Sequence, residues 1–242
     1  MARVSAVVSI RLVISALKLI AKGQWRTLYW RIWIRLHKLD LSFVSVEDLG
    51  LSLCIAYHHS ATPGPELRRV LKTLDIRPGS GIIDFGCGKG GALITMKQFP
   101  FSRITGCDIS PGLLRVAETN MDKMRISSVR LICCDARQFT DLDEYDYFYF
   151  FNPFPREVFE SVMVNIGVSL ARKPREATII YRIPSFHDIV VASGLFEKVA
   201  DLFYGGDYPY YIYSSQPGKH QLRRNRGPLI RVKTKQVRID RR

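Results

Sequence analysis

The spacing of apolar positions changes character along the chain. Short, almost uninterrupted apolar runs near 81–85, 103–108, 129–134, 145–151, 177–183, 196–204 and 208–214 read as strands. Between the first five, apolar residues recur at helical spacing near 90–98, 111–123 and 155–172. A short or poor helix follows 135, and another near 186–193 follows the fifth strand. Continuous apolar runs are expected when both faces of a sheet are covered. Strand and helix in alternation imply a doubly wound α/β domain with a mostly parallel, seven-stranded sheet. The last two strands are joined only by "GGD", a hairpin signal, so the sheet is expected to end in an antiparallel hairpin. No internal repeat is visible.

Upstream, "ELRRVLKTL" aligns Leu67, Val70, Leu71 and Leu74 on one helical face, and "IRPGSG" is a turn. Residues 39–64 form a connector closed by Pro63 and Pro65. The opening "VSAVVSIRLVISALKLIAKG" is apolar but broken by Arg11 and Lys18. A spanning helix needs about 20 residues with few charges, and a signal peptide needs an uninterrupted apolar segment, so neither fits. Read as a helix, the stretch sets Arg11, Lys18 and Lys22 on one face and stops at Gly23. "WRTLYWRIWIRLHK" then groups Trp25, Tyr29, Ile32, Trp33 and Leu36 on one face, with Arg31, Arg35 and Lys38 opposite. Two readings stay open: a helix lying in a membrane interface, or one packing its tryptophan face on the core. The organisation is then a basic amphipathic helical extension (1–38), the connector (39–64), the α/β domain (65–216) and a basic tail (217–242).

The composition is that of a globular protein, 47% hydrophobic and 24% charged over 242 residues. Charge changes this picture. The net charge is +14, and residues 1–38 and 217–242 carry +8 and +9, which leaves −3 for the middle. Basic ends attract anionic surfaces, a membrane or a nucleic acid, or else serve solubility alone. The tail alternates in "LIRVKTKQVRI", consistent with an edge strand or a basic arm, and no zinc knuckle or RNA-recognition signature supports sequence-specific nucleic-acid binding. Five cysteines, Cys54, Cys87, Cys107, Cys133 and Cys134, fit no disulfide framework and no CxxC metal pair, so reduced thiols in a cytosolic protein are expected.

The chemistry is concentrated at strand ends. In "IIDFGCGKGG" a buried-type strand finishes in Asp84 and runs into Gly86, Gly88, Gly90 and Gly91. A bare backbone between strand and helix lets a ligand approach closely. On these residues the chain resembles the class I S-adenosylmethionine-dependent methyltransferases over roughly residues 60–214. In that family an acid at the end of the first strand precedes GxGxG, whereas dehydrogenases place GxGxxG directly after the strand. The resemblance implies that Asp84, Gly86, Cys87, Gly88 and Gly90 surround the methionine part of S-adenosylmethionine. A carboxylate there suits the cofactor's cationic centres. It implies further that Asp108, closing "ITGCD", accepts bonds from the ribose hydroxyls and that Ile109 lies against the adenine. Asp135 and the Ala136 amide would bind the adenine edge. Ser110 and Pro111 read as N-cap and first residue of the next helix, and a capping role alone for Asp108 is the plain alternative.

"FFNPFP" ends the fourth strand, where the resemblance puts the transferable methyl group. Asn152 and Pro153 are similar to the start of the Asn-Pro-Pro-aromatic motif of enzymes that methylate amino nitrogens. Phe154 and Pro155 depart from it, and the pattern is closer to bacterial methyltransferases of unassigned substrate that carry GCGKG and FNPF. Asn152 is the candidate for orienting the nucleophile. Tyr57, His58, His59 and Tyr181 are the candidates for a general base. The His58–His59 pair lacks further ligands, so no metal is expected. The sequence thus points to a cytosolic methyltransferase, peripheral to an anionic membrane surface through residues 1–38, acting on a lipid-linked or small hydrophobic metabolite. An RNA or protein methyltransferase using the basic ends, and a non-catalytic cofactor-binding module, are the alternatives.

Overall fold

Seven strands form where the apolar runs predict them. A computed structural model of the protein describes residues 25–52, 56–58, 64–204 and 208–216. The strands are β1 (Gly81–Phe85), β2 (Arg103–Asp108), β3 (Val129–Cys133), β4 (Tyr147–Phe151), β5 (Thr178–Arg182), β6 (Glu197–Leu202) and β7 (Tyr210–Ser214). Their order in the sheet is β3-β2-β1-β4-β5-β7-β6. β1 lies parallel to β2 and to β4, β3 to β2, and β5 to β4. β7 runs antiparallel to both β5 and β6. The expected antiparallel end is therefore present, with the last strand inserted between β5 and β6. The "GGD" link itself lies outside the described residues.

The helices are α1 (Trp25–Leu36), α2 (Gly64–Thr73), α3 (Gly91–Met96), α4 (Pro111–Lys123), α5 (Arg156–Arg172) and α6 (His187–Ala192), with one 3-10 turn at Ala136–Gln138. Strand alternation sends Ile82, Tyr147, Tyr149 and Ile180 to one side, among Leu67 and Leu71 of α2 and Leu93 of α3. It sends Ile83, Phe85, Phe148, Phe150 and Ile179 to the other, among Phe159, Val162 and Ile166 of α5. Burying each such side chain stabilises the fold by about 1.5–3 kcal/mol. The inner strands β1 and β5 are buried throughout, whereas the edge strands β3 and β6 carry exposed positions. α4 starts as its sequence dictates: Ser110 Oγ accepts the Leu113 amide at 3.3 Å, and Pro111 follows it.

Of the face that spacing groups on α1, Trp33 packs on the core and the other members stay exposed. Trp33 and Ile34 pack against the core beside α2. Trp30 stacks on Trp33 at 4.7 Å and lies so close to Gly64 that a Cβ there would meet its ring at 2.6 Å. Trp25, Tyr29, Ile32 and Leu36, grouped with Trp33 by spacing, stay 51–74% exposed. The pattern missed this because α1 is apolar around much of its circumference, so periodicity alone does not select the docked stripe. The proposed first helix and the basic tail lie outside the described residues. Among the described residues no helix is long and apolar enough to cross a membrane.

The chain between α1 and α2 is tied to the sheet by a polar clamp. Asn120 of α4 is fully buried. Its Oδ1 accepts the Asp40 amide at 3.0 Å, while its Nδ2 donates to the carbonyls of Asp40 (2.9 Å) and Lys89 (3.0 Å). Lys89, the buried lysine of the glycine loop, donates to Asp40 Oδ1 and Ser42 Oγ, both at 2.8 Å. Burial works against ionisation of Asp40, yet the bonds from Lys89 and Ser42 hold its carboxyl down at about 2. Asn120→Ala should cost about 2–4 kcal/mol in urea unfolding, because the part-buried Asp40 amide and two carbonyls lose their partners. A loss under 1 kcal/mol would show that the clamp is dispensable.

Candidate functional site

The cavity lies over the carboxyl ends of the strands, where the chain, having run outward from β1 through β2 to β3, crosses back to lay β4 on the other side of β1. That is the point at which open α/β sheets bind ligands. It has a volume of about 560 Å³. Asp84 and Gly86 line it from β1, Asp108 and Ile109 from β2, and Cys134, Asp135 and Ala136 from β3. Phe151, Asn152, Pro153 and Phe154 line it after β4. Leu49, Leu51, Ala56, Tyr57 and His58 of the connector cover it. The three acids that the sequence places at successive strand ends therefore meet around one space.

Their environments differ. Asp84 is 2% exposed, and burial, with a further push from Asp108, drives its carboxyl well above the usual carboxylate range. No cation and no hydrogen bond from the described residues offsets this. Asp108 is also held high by burial, opposed by the backbone donors of Ser110, Gly88 and Ile109. Its Oδ2 accepts the Gly88 amide at 2.8 Å and its Oδ1 the Ser110 amide at 2.9 Å. Asp108 thus ties the glycine loop to the end of β2, and each oxygen keeps a second lone pair for a ligand. Asp135 is set apart. It caps the 3-10 turn through the Arg137 amide at 2.9 Å, and Arg137 also grips both its oxygens, which lowers its pKa. Of the predicted pair at this strand end, the Ala136 backbone is the less committed.

The loop glycines divide by function. Gly86 has φ +77°, and a Cβ on it would meet Pro153 Cβ at 2.3 Å. The first glycine thus admits the turn after β4, and Pro153 abuts the glycine loop. Gly88 and Gly90 do not line the cavity; Gly90 adopts φ +80° at the start of α3, with Met121 2.8 Å from where its Cβ would lie. Cys87 lines the cavity, and its Sγ sits 2.7 Å from where a Cβ on Gly106 would lie. Cys107 and Cys134 bring their Sγ atoms to 3.1 Å without a disulfide.

Asn152 has φ +41°, and its Oδ1 is buried without a hydrogen bond. The carbonyl of Pro153 accepts the Tyr57 amide at 3.2 Å, so the connector is fastened to the β4 turn. Of the candidate bases, Tyr57 and His58 line the cavity. His58 Nδ1 accepts the Val46 amide at 3.0 Å, which leaves the ring proton on Nε2 when the ring is neutral. Tyr181 instead belongs to the core: it is fully buried, stacks on Phe159 at 5.1 Å, and burial raises its hydroxyl far from a working base. Its place inside an all-apolar strand is the signal for that. His59 lies outside the described residues. Among the described residues no cluster of three His, Cys, Asp or Glu is arranged to hold a metal.

Sequence reasoning missed Arg182 and Ile183, which line the cavity after β5. The signal was present: "TIIYR" ends an apolar strand in a charge, as "GIIDF" does one residue from its end. It also missed the roof residues Leu49 and Leu51, because a connector of mixed polarity gives no period to read.

Asp84→Asn should raise the melting temperature of the ligand-free protein. A carboxyl with a raised folded pKa adds stability that is complete below its unfolded value, near pH 4, and lost as pH climbs through the folded value. The amide stays neutral throughout. The gap between variant and wild type should therefore be small at about pH 4 and widen with rising pH. Melting curves with no widening would show that Asp84 is not held protonated by burial.

Residues 82–171 match the family described as "Methyltransferase domain". A trans-aconitate 2-methyltransferase of Enterobacter sp. (strain 638) is 33% identical over 106 residues, 43% of this chain and 39% of that protein. A ribosomal protein L11 methyltransferase of Burkholderia mallei (strain NCTC 10229) is 33% identical over 80 residues, 32% of this chain and 25% of that protein. The chain therefore spans well under half the length of these relatives. Among solved structures, the ribosomal protein L11 methylase of Lactobacillus delbrueckii subsp. bulgaricus superposes with a TM-score of 0.51 at 16% identity, over 66% of this chain and 80% of that one, a likeness of fold.

Proposed function

We propose that this chain, built on a domain of the class I S-adenosylmethionine-dependent methyltransferases, transfers a methyl group from S-adenosylmethionine to a small acceptor that enters at the end of β4. One observation carries the reading: Asp84, a buried carboxylate without a protein cation, faces the same cavity as Asp108. Such a pair is costly unless a cationic ligand completes it. The cofactor, when bound, supplies both the missing positive charge and an activated methyl group. Asp84 and the Gly86–Cys87 turn would hold the methionine part, Asp108 the ribose hydroxyls, and Ile109 with the Ala136 amide the base. Asn152 would orient the acceptor. Tyr57 and His58 close the space from above and exclude water, which methyl transfer requires more than it requires acid–base chemistry.

The acceptor is assigned to a small hydrophobic metabolite met at a membrane surface. The exposed stripe of Trp25, Tyr29, Ile32 and Leu36, with exposed Arg31 and Arg35 on the same helix, supports this placement, as does the net charge of +14. An apolar stripe beside arginines is the arrangement that lies flat on anionic lipid.

Asp108→Ala should weaken S-adenosylhomocysteine binding by about 1–3 kcal/mol in calorimetry, through loss of charge-assisted bonds and of the Gly88 tether; an unchanged affinity would remove Asp108 from the site. A cell extract incubated with cofactor labelled in the methyl group should place label in the organic-soluble, small-molecule fraction. Label confined to RNA or to protein would replace the acceptor assignment. In parallel, Trp25→Ser/Ile32→Ser/Leu36→Ser should abolish co-sedimentation with vesicles containing phosphatidylglycerol, and retention of full binding would take α1 out of the membrane reading.

A further inference from the structure

The β5 end of the cavity carries a cation whose binding edge is unused. Arg182 is 95% buried and lines the cavity. Its Nη1 donates to Glu66 of α2 and, at 2.8 Å, to the Tyr210 hydroxyl of β7. Its plane lies over the rings of Phe151 and Tyr210, at 4.9 and 5.0 Å. The other edge, formed by Nε and Nη2, makes no hydrogen bond among the described residues, and Nε is fully buried without a partner. That edge presents two parallel N–H groups, the fork that fits the two oxygens of a carboxylate. Burial works against the charge, but Tyr210 and Glu66 outweigh it and keep the guanidinium ionised.

The backbone at this place is strained. Asn152 and Ile183, each the first residue beyond its strand, have φ +41° and +52°. A β-branched residue in that region costs of order 1–3 kcal/mol and persists where surrounding structure demands it. Phe151 and Arg182 are register partners on β4 and β5, so Asn152 lies one residue beyond the arginine's own pair. Neighbouring strands are about 4.8 Å apart. Two unsatisfied groups thus close neighbouring strands over one cavity: a donor fork on Arg182 and an acceptor, Asn152 Oδ1.

We propose that this corner binds the methyl acceptor, and that the acceptor is a hydroxy- or amino-carboxylic acid with an apolar body. Its carboxylate takes the Nε/Nη2 edge of Arg182. Its O–H or N–H, the methyl-accepting group, donates to Asn152 Oδ1. The apolar body lies against Phe151, Tyr57 and Tyr208, which line the cavity. Glu66 keeps its own edge of the guanidinium and holds the fork in place. This rests on the methyltransferase reading and adds the chemical class of the substrate to it.

The test uses the full chain saturated with S-adenosylhomocysteine and three probes, 4-hydroxybenzoate, 4-hydroxycinnamate and 12-hydroxydodecanoate, each beside its neutral amide, titrated by calorimetry. At least one acid should bind tenfold or more tightly than its amide. Arg182→Gln should erase that preference, and Arg182→Lys, which keeps the charge beside Glu66 but lacks the fork, should weaken acid binding about tenfold while leaving S-adenosylhomocysteine affinity unchanged. Should Arg182→Gln fail to fold, the lysine variant carries the comparison. No preference for any acid, including no binding of any probe, overturns the proposal, as does a preference that survives both substitutions. Failure of wild type to bind S-adenosylhomocysteine would instead overturn the methyltransferase reading.

Discussion

Two carboxylates, Asp84 and Asp108, sit at the ends of adjacent parallel strands, both almost out of water and one without a protein donor. The rest of the site follows from keeping that pair in place. Parallel strands with helices on both faces leave the Asp84 side chain within β1 no approach other than the cavity. The sharp turn at Gly86 leads straight into α3, and Asp108 anchors that turn through the Gly88 amide. The connector then covers the cavity, tied at one end by Lys89 and Asn120 to Asp40 and at the other by the Tyr57 amide to Pro153. A pair of carboxylates buried this deeply costs stability, and the large two-sided aromatic core offsets it.

Both ends of the cavity use the same device. At the β1 end an acid lacks a cation, and at the β5 end a guanidinium edge lacks an acceptor. Opposite unmet demands at the two ends of one space suit a positive group near Asp84 and a negative group near Arg182, the arrangement proposed for cofactor and acceptor. Asn152 stands between them with its own oxygen unsatisfied. Charge on the backbone side is handled differently: Asp135 is already gripped by Arg137, so that corner recognises with its main chain.

Much of this was legible in the residues. Strand ends followed from the switch between apolar runs and turn residues, and Ser110-Pro111 fixed the start of α4 to the residue. Acids at strand ends gave three of the cavity's polar residues, since a charge closing an apolar run has few structural uses. Arg182 carries the same signal and was passed over because nothing ties it to the glycine loop in sequence. The docked face of α1 was not legible, because Trp30, Trp33 and Ile34 compete with an equally apolar stripe and only tertiary contact chooses between them. Nor was the Asn120 clamp, because a buried amide bridging residues 80 positions apart leaves no local period.

The central claim is that burial without a cation raises the pKa of Asp84 and that a cationic ligand lowers it again. Titrating S-adenosylmethionine calorimetrically across about pH 5–9, in buffers of different ionisation enthalpy, reads this directly. The account predicts proton release on binding and an affinity that climbs with pH until Asp84 ionises in the free protein. Tight binding with neither proton release nor pH dependence would contradict it.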